Sequence, residues 1–595
     1  MREPNPPVWE LGDLYGGIGD PRIEGTLADA LQRAERFAET YRGKISDSSL
    51  SPGTLAQAIR EYESILQDAE KPLEYASLLF AADTSDHERG ALFQKVRERH
   101  SEVVVTLLFF ELDLTAIPED RMAALLGDSE LDAHRHWVRS IRLFREHRLS
   151  EAEERILEEK ANTGSRAFTR LFEETVSGIS FRMMKDGREQ VLTFPEIVAL
   201  QRDRDRETRR AAAAAMTEGL LTRRRELTYV LNVLVQDKST DDRLRRYAFP
   251  EQERHLANEL DREVVEMVVS EVERHYALVG RYYRLKREIL GLDKLTHYDR
   301  YAPLFDTKAE VLFERAREIV LDSFSAFSPG FGEIASRFFD EKWIDAEVRP
   351  GKRPGAFCSY ATPDLHPYVL MSYTNRLDNV MTLGHEIGHG VHACLSGKQG
   401  YLSFMPTLPV AELASTFAQM LVFDALQKES DGADRLALYA ETIEDSLATI
   451  FRQAAMFRFE QEVHALRRGE GELTTEEIGA VWQRRLQETF GESLELGDEH
   501  RFWWMAVSHF VSWPFYVYAY VFGQLLVMSL YAAYKREGEG FAPRYVRLLE
   551  VGGSMSPEEM LSEVGINIRD PEFWRAGIAV LEGFVDSFED LYLRP

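Results

Sequence analysis

Apolar residues recur at three- and four-residue spacing along most of the 595-residue sequence. This spacing places an apolar stripe along one side of an α-helix, so it predicts helices packed on helices. One such pattern runs through Leu27, Leu31 and Ala34 and stops at Gly43. Helix starts are marked as well, because Ser150 with a glutamate three residues later forms a capping box. The sequence therefore predicts a mainly α fold with few strands.

Two segments interrupt this helical pattern and predict short strands. The first surrounds Asp186-Gly187, a pair that is typical of a two-residue hairpin turn. The second, residues 353–374, contains two short apolar runs around a Pro-Asp turn. We predict a domain boundary close to the first interruption. It divides the chain into an N-terminal helical domain, residues 1–195, and a larger helical domain, residues 196–595.

Charge and cysteine content exclude several classes of protein. A net charge of -28 argues against a nucleic-acid partner, because a phosphate backbone is met by a surplus of Lys and Arg. Cys358 and Cys394 are the only cysteines, so neither a disulfide framework nor a cysteine metal site is expected. The start, MREPNPPVWELGDLY, lacks the apolar segment that follows the basic residues of a secretory signal. A soluble protein of the reducing cytoplasm is the expectation.

The uncharged segment from Phe510 to Tyr534 is long enough to be considered as a membrane span. It contains Ser512, Pro514 and Gln524, and its tyrosines are spread along the whole segment. Membrane helices instead concentrate tyrosine at the two interfaces with water. We therefore predict a buried helix that lines a cleft, and no membrane partner.

The strongest functional signal is the pentapeptide HEIGH at residues 385–389. His385 and His389 are four residues apart on a predicted helix, so they project from one face, one turn apart. Two imidazoles at this spacing can bind one Zn²⁺ at about 2.0–2.1 Å each. Glu386 lies beside them and can act as a general base on a zinc-bound water. The alternative is a pair of histidines in a helix without a metal.

A catalytic zinc site usually has three protein ligands and one open position. The HExxHxxGxxH arrangement is excluded, because position 392 is His and position 395 is Leu. Glu412 begins a second apolar helix, and a carboxylate among apolar neighbours must be paired or bind a metal. We predict Glu412 as the third ligand of one zinc per chain. A glutamate favoured by the helix dipole is the alternative. His392 is predicted to be a satisfied, partly buried histidine, and a contact with a metal ligand or with substrate is the alternative for it.

These residues resemble the oligoendopeptidase F / thimet oligopeptidase family of zinc metallopeptidases, and the oligoendopeptidase F branch fits best. The motifs HEIGHGVH at 385–392, VAELAST at 410–416 and HFVSWPFYVYAYVFG at 509–523 carry the resemblance. Weaker matches extend it over nearly the whole chain. The resemblance implies an all-helical, bowl- or clam-shaped, zincin-like fold with a deep substrate channel. It also implies cleavage of internal bonds in short, unfolded peptides.

The resemblance assigns roles to individual residues. It implies three metal ligands, namely His385, His389 and Glu412. It implies that Glu386 is the general base of a catalytic zinc-peptidase domain. Contacts with substrate or with the oxyanion are implied for His509 and for the tyrosines of the PFYVYAY segment. Of these, Tyr516 and Tyr520 are four residues apart and are predicted to share a helix face.

Two positions depart from the family pattern. Gln419 stands where the family commonly has a glutamate, so a carboxylate near the ligands becomes a neutral amide. Ser512 stands where the related branch often has a second histidine. Changes of this kind lower metal affinity or rate without changing the type of reaction.

Besides a zinc-dependent endopeptidase of short peptides, two other functions are compatible with these residues. A helical zinc carboxypeptidase would share the HExxH helix, but it needs a cationic group for the terminal carboxylate of its substrate. A non-catalytic peptide-binding protein is compatible with Gln419 and Ser512. Cobalt or manganese could also occupy the zinc site in vitro.

Overall fold

The computed structural model describes residues 6–185, 187–305 and 309–594. Within these residues the chain forms 26 α-helices and five short strands, which confirms the mainly α class. Short 3₁₀ turns join several helices, and a π-helical turn at Ala448–Arg452 precedes α20.

The first half of the chain contains the following elements in order: α1 (Pro21–Tyr41), α2 (Pro52–Ala82), α3 (His87–Ala116), α4 (Glu119–Leu126), α5 (Arg135–Arg142), α6 (Glu151–Ala161), α7 (Ser165–Ser177), β1 (Phe181–Lys185), β2 (Arg188–Leu192), α8 (Phe194–Leu200), α9 (Arg206–Thr222), α10 (Arg224–Arg245), α11 (Gln252–Ala257), α12 (Arg262–Arg274) and α13 (Tyr276–Ile289).

The second half continues with α14 (Phe313–Phe327), α15 (Pro329–Asp340), β3 (Ile344–Asp345), β4 (Phe357–Ser359), β5 (Tyr368–Leu370), α16 (Leu377–Ser396), α17 (Leu408–Ala411), α18 (Leu413–Glu429), α19 (Gly432–Leu447), α20 (Gln453–Glu470), α21 (Thr475–Phe490), α22 (His509–Ser512), α23 (Tyr518–Glu537), α24 (Ala542–Glu550), α25 (Pro557–Glu563) and α26 (Pro571–Leu593).

The chain forms two compact units and enters each of them more than once. The first unit consists of Met1–Arg145, Ala309–Ser430 and Leu530–Asn567, and the second of Glu146–Lys308, Asp431–Ser529 and Ile568–Pro595. In the first unit, α1, α2 and α3 bury an aromatic core around Phe37, Tyr62 and Phe110. Residue 195, where the sequence pattern predicts one boundary, falls inside the second unit. That domain boundary stays a prediction.

Both predicted non-helical segments contain strands. β1 pairs with β2 in antiparallel fashion with Phe181 opposite Leu192, which confirms the hairpin. Gly187 has a φ of 73°, a value that the turn requires and that glycine adopts without strain, whereas Asp186 lies outside the described residues. In the second segment β4 pairs antiparallel with β5, and β3 joins β5 in parallel. The strand order is β3-β5-β4, so β4 lies at an edge of this sheet.

The uncharged segment predicted as one buried helix is divided in two. The short helix α22 ends at Ser512, before Pro514, and α23 begins at Tyr518. Most residues of α23 before its charged C-terminal end are buried, as predicted. In the described ranges, no helix is both long enough and apolar enough to cross a membrane.

Two glycines allow α16 and α18 of the first unit to pack at close range. A Cβ atom on Gly388 would lie 2.7 Å from Ala418 Cβ and 2.8 Å from the carbonyl oxygen of Ala414. A Cβ atom on Gly384, one turn earlier, would lie 2.7 Å from Val422 Cγ2. Contacts this short are repulsive in a packed interior. Only glycine therefore allows the two helices to come this close.

Gly388→Ala is expected to lower the free energy of unfolding by about 1–3 kcal/mol, because the added methyl group forces α16 away from α18. Urea unfolding followed by circular dichroism measures the change.

Gly25→Ala is the matched control for this prediction. Gly25 lies in α1 of the same unit, and beyond its own turn of that helix no atom of the described residues lies within 4 Å of the position of the added methyl group. This variant should be neutral or more stable by up to about 1 kcal/mol, because alanine favours the helix over glycine. Equal loss of stability in both variants would contradict the role of close packing at Gly388.

Candidate metal centre

The predicted ligands lie where α16 meets the start of α18. His385 and His389 are one turn apart on α16, with their ring centroids 5.0 Å apart. Glu412 lies between α17 and α18 and is the residue that caps the start of α18. Its Oε2 atom lies 3.3 Å from His385 Nε2 and 3.2 Å from His389 Nε2. The structure thus brings the three side chains together.

The two N···O distances in this group fit the spacing of ligands on a tetrahedral metal ion. Ligand atoms that are 2.0–2.1 Å from a tetrahedral zinc lie about 3.3–3.4 Å from each other, and the two measured N···O distances agree with this spacing. Two imidazoles with one carboxylate are a common donor set of catalytic zinc sites. Among the described residues, no other group of three His, Cys, Asp or Glu side chains places its ligand atoms within 4.8 Å of one another.

Hydrogen bonds orient two of the three side chains. Gln419 Oε1 lies 3.2 Å from His385 Nδ1. An acceptor at Nδ1 keeps a proton on that nitrogen, so Nε2 is the atom that would bind a metal in place of its contact with Glu412. Ser415 Oγ donates a hydrogen bond to Glu412 Oε2 at 2.8 Å. The sequence analysis missed Ser415, although its place in the VAELAST motif, three residues after Glu412, is a signal that points to it.

Charge and burial set the ionisation of the site. Burial raises the pKa of Glu412, but the hydrogen bonds from His385 and His389 outweigh burial and hold that pKa far below its usual range. Burial lowers the pKa of His385, but the hydrogen bond and the charge of Glu412 bring it above the ordinary value. Burial raises the pKa of Glu386, against the opposing charges of the two histidines. A carboxyl with a raised pKa beside a polar centre is typical of a general base.

The structure corrects the prediction for His392. This residue is only 1% exposed, and neither of its ring nitrogens has a hydrogen-bond partner among the described residues. Burial lowers the pKa of His392 to about 3, so the ring is neutral. Its ring faces Tyr360, which follows β4 and also faces His389, with centroids 6.2 Å and 6.3 Å apart. The helix pattern could not show this environment, because Tyr360 belongs to another segment.

The other predicted site residues belong to the second unit. His509 begins α22, and its Nε2 atom lies 3.2 Å from the hydroxyl oxygen of Tyr520. The Tyr516 ring lies 5.1 Å from the Tyr520 ring and 5.9 Å from the His509 ring. Tyr516 and Tyr520 do not share a helix face, because Tyr516 precedes α23. Tyr518 has a different environment, since its hydroxyl contacts the Asn258 amide at 2.8 Å.

Comparisons with known proteins agree with this arrangement. The sequence model of peptidase family M3 matches residues 199–580, and that of oligopeptidase F matches residues 113–181. Oligopeptidase PepF of Bacillus subtilis (strain 168) is 27% identical to this chain over 601 residues. The match covers 99% of this chain and 87% of the relative.

Solved structures show the same fold. A crystal structure from Chlamydophila abortus has a TM-score of 0.88 at 24% sequence identity, and the match covers 98% of each chain. Oligoendopeptidase F of Enterococcus faecium has a TM-score of 0.72 at 20% identity, covering 96% of this chain and 98% of the other. The resemblance to oligoendopeptidase F is confirmed. Because the family model extends over more than half of the sequence, the chain belongs to peptidase family M3.

Proposed function

We propose that the protein is a zinc-dependent endopeptidase that hydrolyses internal bonds of short peptides. Its family membership supports a metallo-oligopeptidase. The observation that carries the proposal is the approach of Glu412 Oε2 to both His385 Nε2 and His389 Nε2. Two imidazoles that converge on one carboxylate oxygen at the ligand spacing of zinc are the arrangement that a three-ligand zinc site requires.

In this proposal each residue of the first unit has a separate task. His385, His389 and Glu412 would hold the ion, while Gln419 orients His385 and Ser415 orients Glu412. When bound, zinc supplies a Lewis acid that acidifies water and polarises a carbonyl group. Glu386 accepts the proton of the attacking water and delivers it to the amine that leaves.

The edge strand β4 supports an extended peptide as the substrate. β4 pairs with β5 on one side, and its other edge is not paired with a strand in the part of the chain that the structure describes. An extended peptide can add to such an edge through backbone hydrogen bonds, which depend little on side-chain identity. The strand leads directly to Tyr360, whose ring faces His389.

The roles of His509, Tyr516 and Tyr520 stay predictions that rest on the family resemblance, which assigns such residues to the substrate or to the oxyanion. Two properties support these roles. Burial lowers the pKa of His509, so its ring is neutral at pH 7. The three rings also form a compact cluster of hydrogen-bond donors, and donors of this kind stabilise a developing oxyanion.

Glu386→Gln is expected to lower kcat by about 100-fold or more, because an amide cannot accept the proton of water. Zinc content should stay at one per chain, since the three ligands are unchanged. The measurement is cleavage of an internally quenched peptide of about ten residues, with a chelator-treated sample beside it. If Glu386→Gln cuts at the parent rate, Glu386 is not the base.

The same peptide separates the alternative functions. An endopeptidase cuts at an internal bond and accepts a free and an amidated C-terminus equally, whereas a carboxypeptidase requires the free carboxylate. Mass spectrometry of the products identifies the bond. Stoichiometric zinc without any turnover would instead favour a peptide-binding protein.

Gln419→Glu is expected to increase zinc affinity about tenfold, because a carboxylate at His385 Nδ1 makes the imidazole more basic. Gln419→Leu should weaken zinc binding by about 10–100-fold, since it removes the acceptor. Zinc retained during titration with a competing chelator measures both effects.

Gln427→Leu is the control for the change at Gln419. Gln427 lies on the same helix and contacts Asp424 instead of a ligand. We expect its zinc affinity to equal that of the parent. An unchanged affinity in Gln419→Leu would show that the amide does not orient His385.

A further inference from the structure

The second unit contains a strained turn between His509 and Tyr520. The turn spans Trp513 to Tyr516, and the N–H of Tyr516 donates to the carbonyl oxygen of Trp513 at 3.1 Å. Pro514 occupies its second position, as is common in β-turns. Phe515 occupies the third position with a φ of 58°, a conformation in which glycine or asparagine is usual. Other contacts must therefore hold a phenylalanine there.

Helix α20 supplies those contacts. Phe515 is fully buried, and its ring centroid lies 4.6 Å from that of His464 and 6.3 Å from that of Phe457. The backbone N–H of Phe515 donates to Glu460 Oε1 at 2.7 Å. His464, Phe457 and Glu460 all lie on α20, so one helix holds both the ring and the backbone of the strained residue.

Packing alone does not explain a carboxyl at position 460. Glu460 is 2% exposed, and its Oε2 atom has no hydrogen-bond partner among the described residues. Burying a carboxyl is costly, and an apolar side chain would fill the same space without that cost. The buried N–H of Phe515, in contrast, requires an acceptor. The hydrogen bond to Phe515 is thus the contact that accounts for this residue.

We propose that Glu460 is a positioning residue that holds the turn at Phe515 and thereby sets the arrangement of His509, Tyr516 and Tyr520. The turn directly precedes Tyr516 and joins α22, which begins with His509, to α23, which carries Tyr520. If the turn opens, the tyrosine rings move relative to the His509 ring. For the reaction itself, this inference rests on the proposed function, because that function assigns the three rings to the substrate.

The ionisation of Glu460 provides a second, independent way to test this positioning role. Burial raises the pKa of Glu460 to about 8, against the Phe515 hydrogen bond and the charge of Arg254, while the charge of Glu251 adds to the rise. His464 on the same helix is neutral, because burial lowers its pKa to about 3. The folded state therefore keeps a proton that the unfolded chain releases near its ordinary pKa of about 4.3. Any opening of the second unit that exposes Glu460 to water together with the turn therefore becomes easier as pH rises from there to about 8.

Hydrogen exchange followed by mass spectrometry tests the positioning role without using activity. Glu460→Gln keeps an acceptor for the Phe515 N–H, so peptides that cover residues 510–520 should keep their protection. Glu460→Leu removes the acceptor, and exchange in these peptides should become about tenfold faster. Protection that is equal in the parent and in Glu460→Leu would overturn the proposal.

Glu271→Leu is the matched control. Glu271 is 1% exposed on α12 of the same unit and pairs with Arg575 at 3.1 Å. Its loss destabilises the unit but leaves the turn intact, so we expect unchanged exchange in residues 510–520. Faster exchange there in Glu271→Leu as well would show that a general loss of stability, and not the acceptor, causes the effect.

The pH dependence keeps the inference testable if Glu460→Leu does not fold. We compare hydrogen-exchange rates of the turn in the parent and in Glu460→Gln, each corrected for the intrinsic rate. Between about pH 5 and pH 8, the rate in the parent should increase relative to that in Glu460→Gln, because the amide does not titrate. If the ratio of the two corrected exchange rates stays constant over this pH range, the proposal is overturned.

Cleavage of the quenched peptide then connects the turn to the reaction. We expect Glu460→Leu to lower kcat about tenfold or more with little change in KM, because the rings are displaced while zinc stays bound. Glu460→Gln and Glu271→Leu should stay close to the parent. Faster exchange with an unchanged kcat would overturn the link to catalysis. If the parent itself does not cut, the proposed function fails, and the exchange data alone decide whether Glu460 holds the turn.

Discussion

The close approach of α16 to α18 at Gly388 is the contact on which the candidate metal centre depends. The histidines lie on one helix and Glu412 at the start of the other, so the separation of the helices sets the distance between the ligand atoms. With glycine at 388, Glu412 Oε2 comes to 3.2–3.3 Å from both Nε2 atoms. A side chain at this position would push α18, and Glu412 with it, away from the two histidines.

The orienting contacts depend on the same helix pair. Gln419 and Ser415 lie on α18 and reach His385 and Glu412, respectively. The amide of Gln419 preserves the hydrogen bond that a glutamate would make, but it adds no negative charge. Gln419 therefore contacts His385 while it donates less electron density to that imidazole than a carboxylate would.

The two units use opposite means to place their candidate site residues. In the first unit, the absence of a side chain at Gly388 allows α16 and α18 to pack in direct contact. In the second unit a bulky residue, Phe515, occupies a backbone conformation that glycine prefers, and buried contacts from α20 hold it there. Both positions depart from local preference: Gly388 lies inside a helix, and Phe515 has a positive φ. Such exceptions are expected where function, and not stability alone, determines the structure.

The sequence by itself determined the features that depend on neighbouring residues. These features are the helical periodicity, the capping box at Ser150 and the two histidines of HEIGH on one helix face. They follow from the 3.6 residues in each helical turn, and the structure contains all three. The pairing of Glu412 with the two histidines was predictable, because a carboxylate among apolar neighbours needs a partner. Tertiary structure alone decided two other features: the His392 ring nitrogens have no hydrogen-bond partner among the described residues, and β3 pairs in parallel with β5. These features join segments far apart in the chain, and local periodicity carries no information about which distant segments meet.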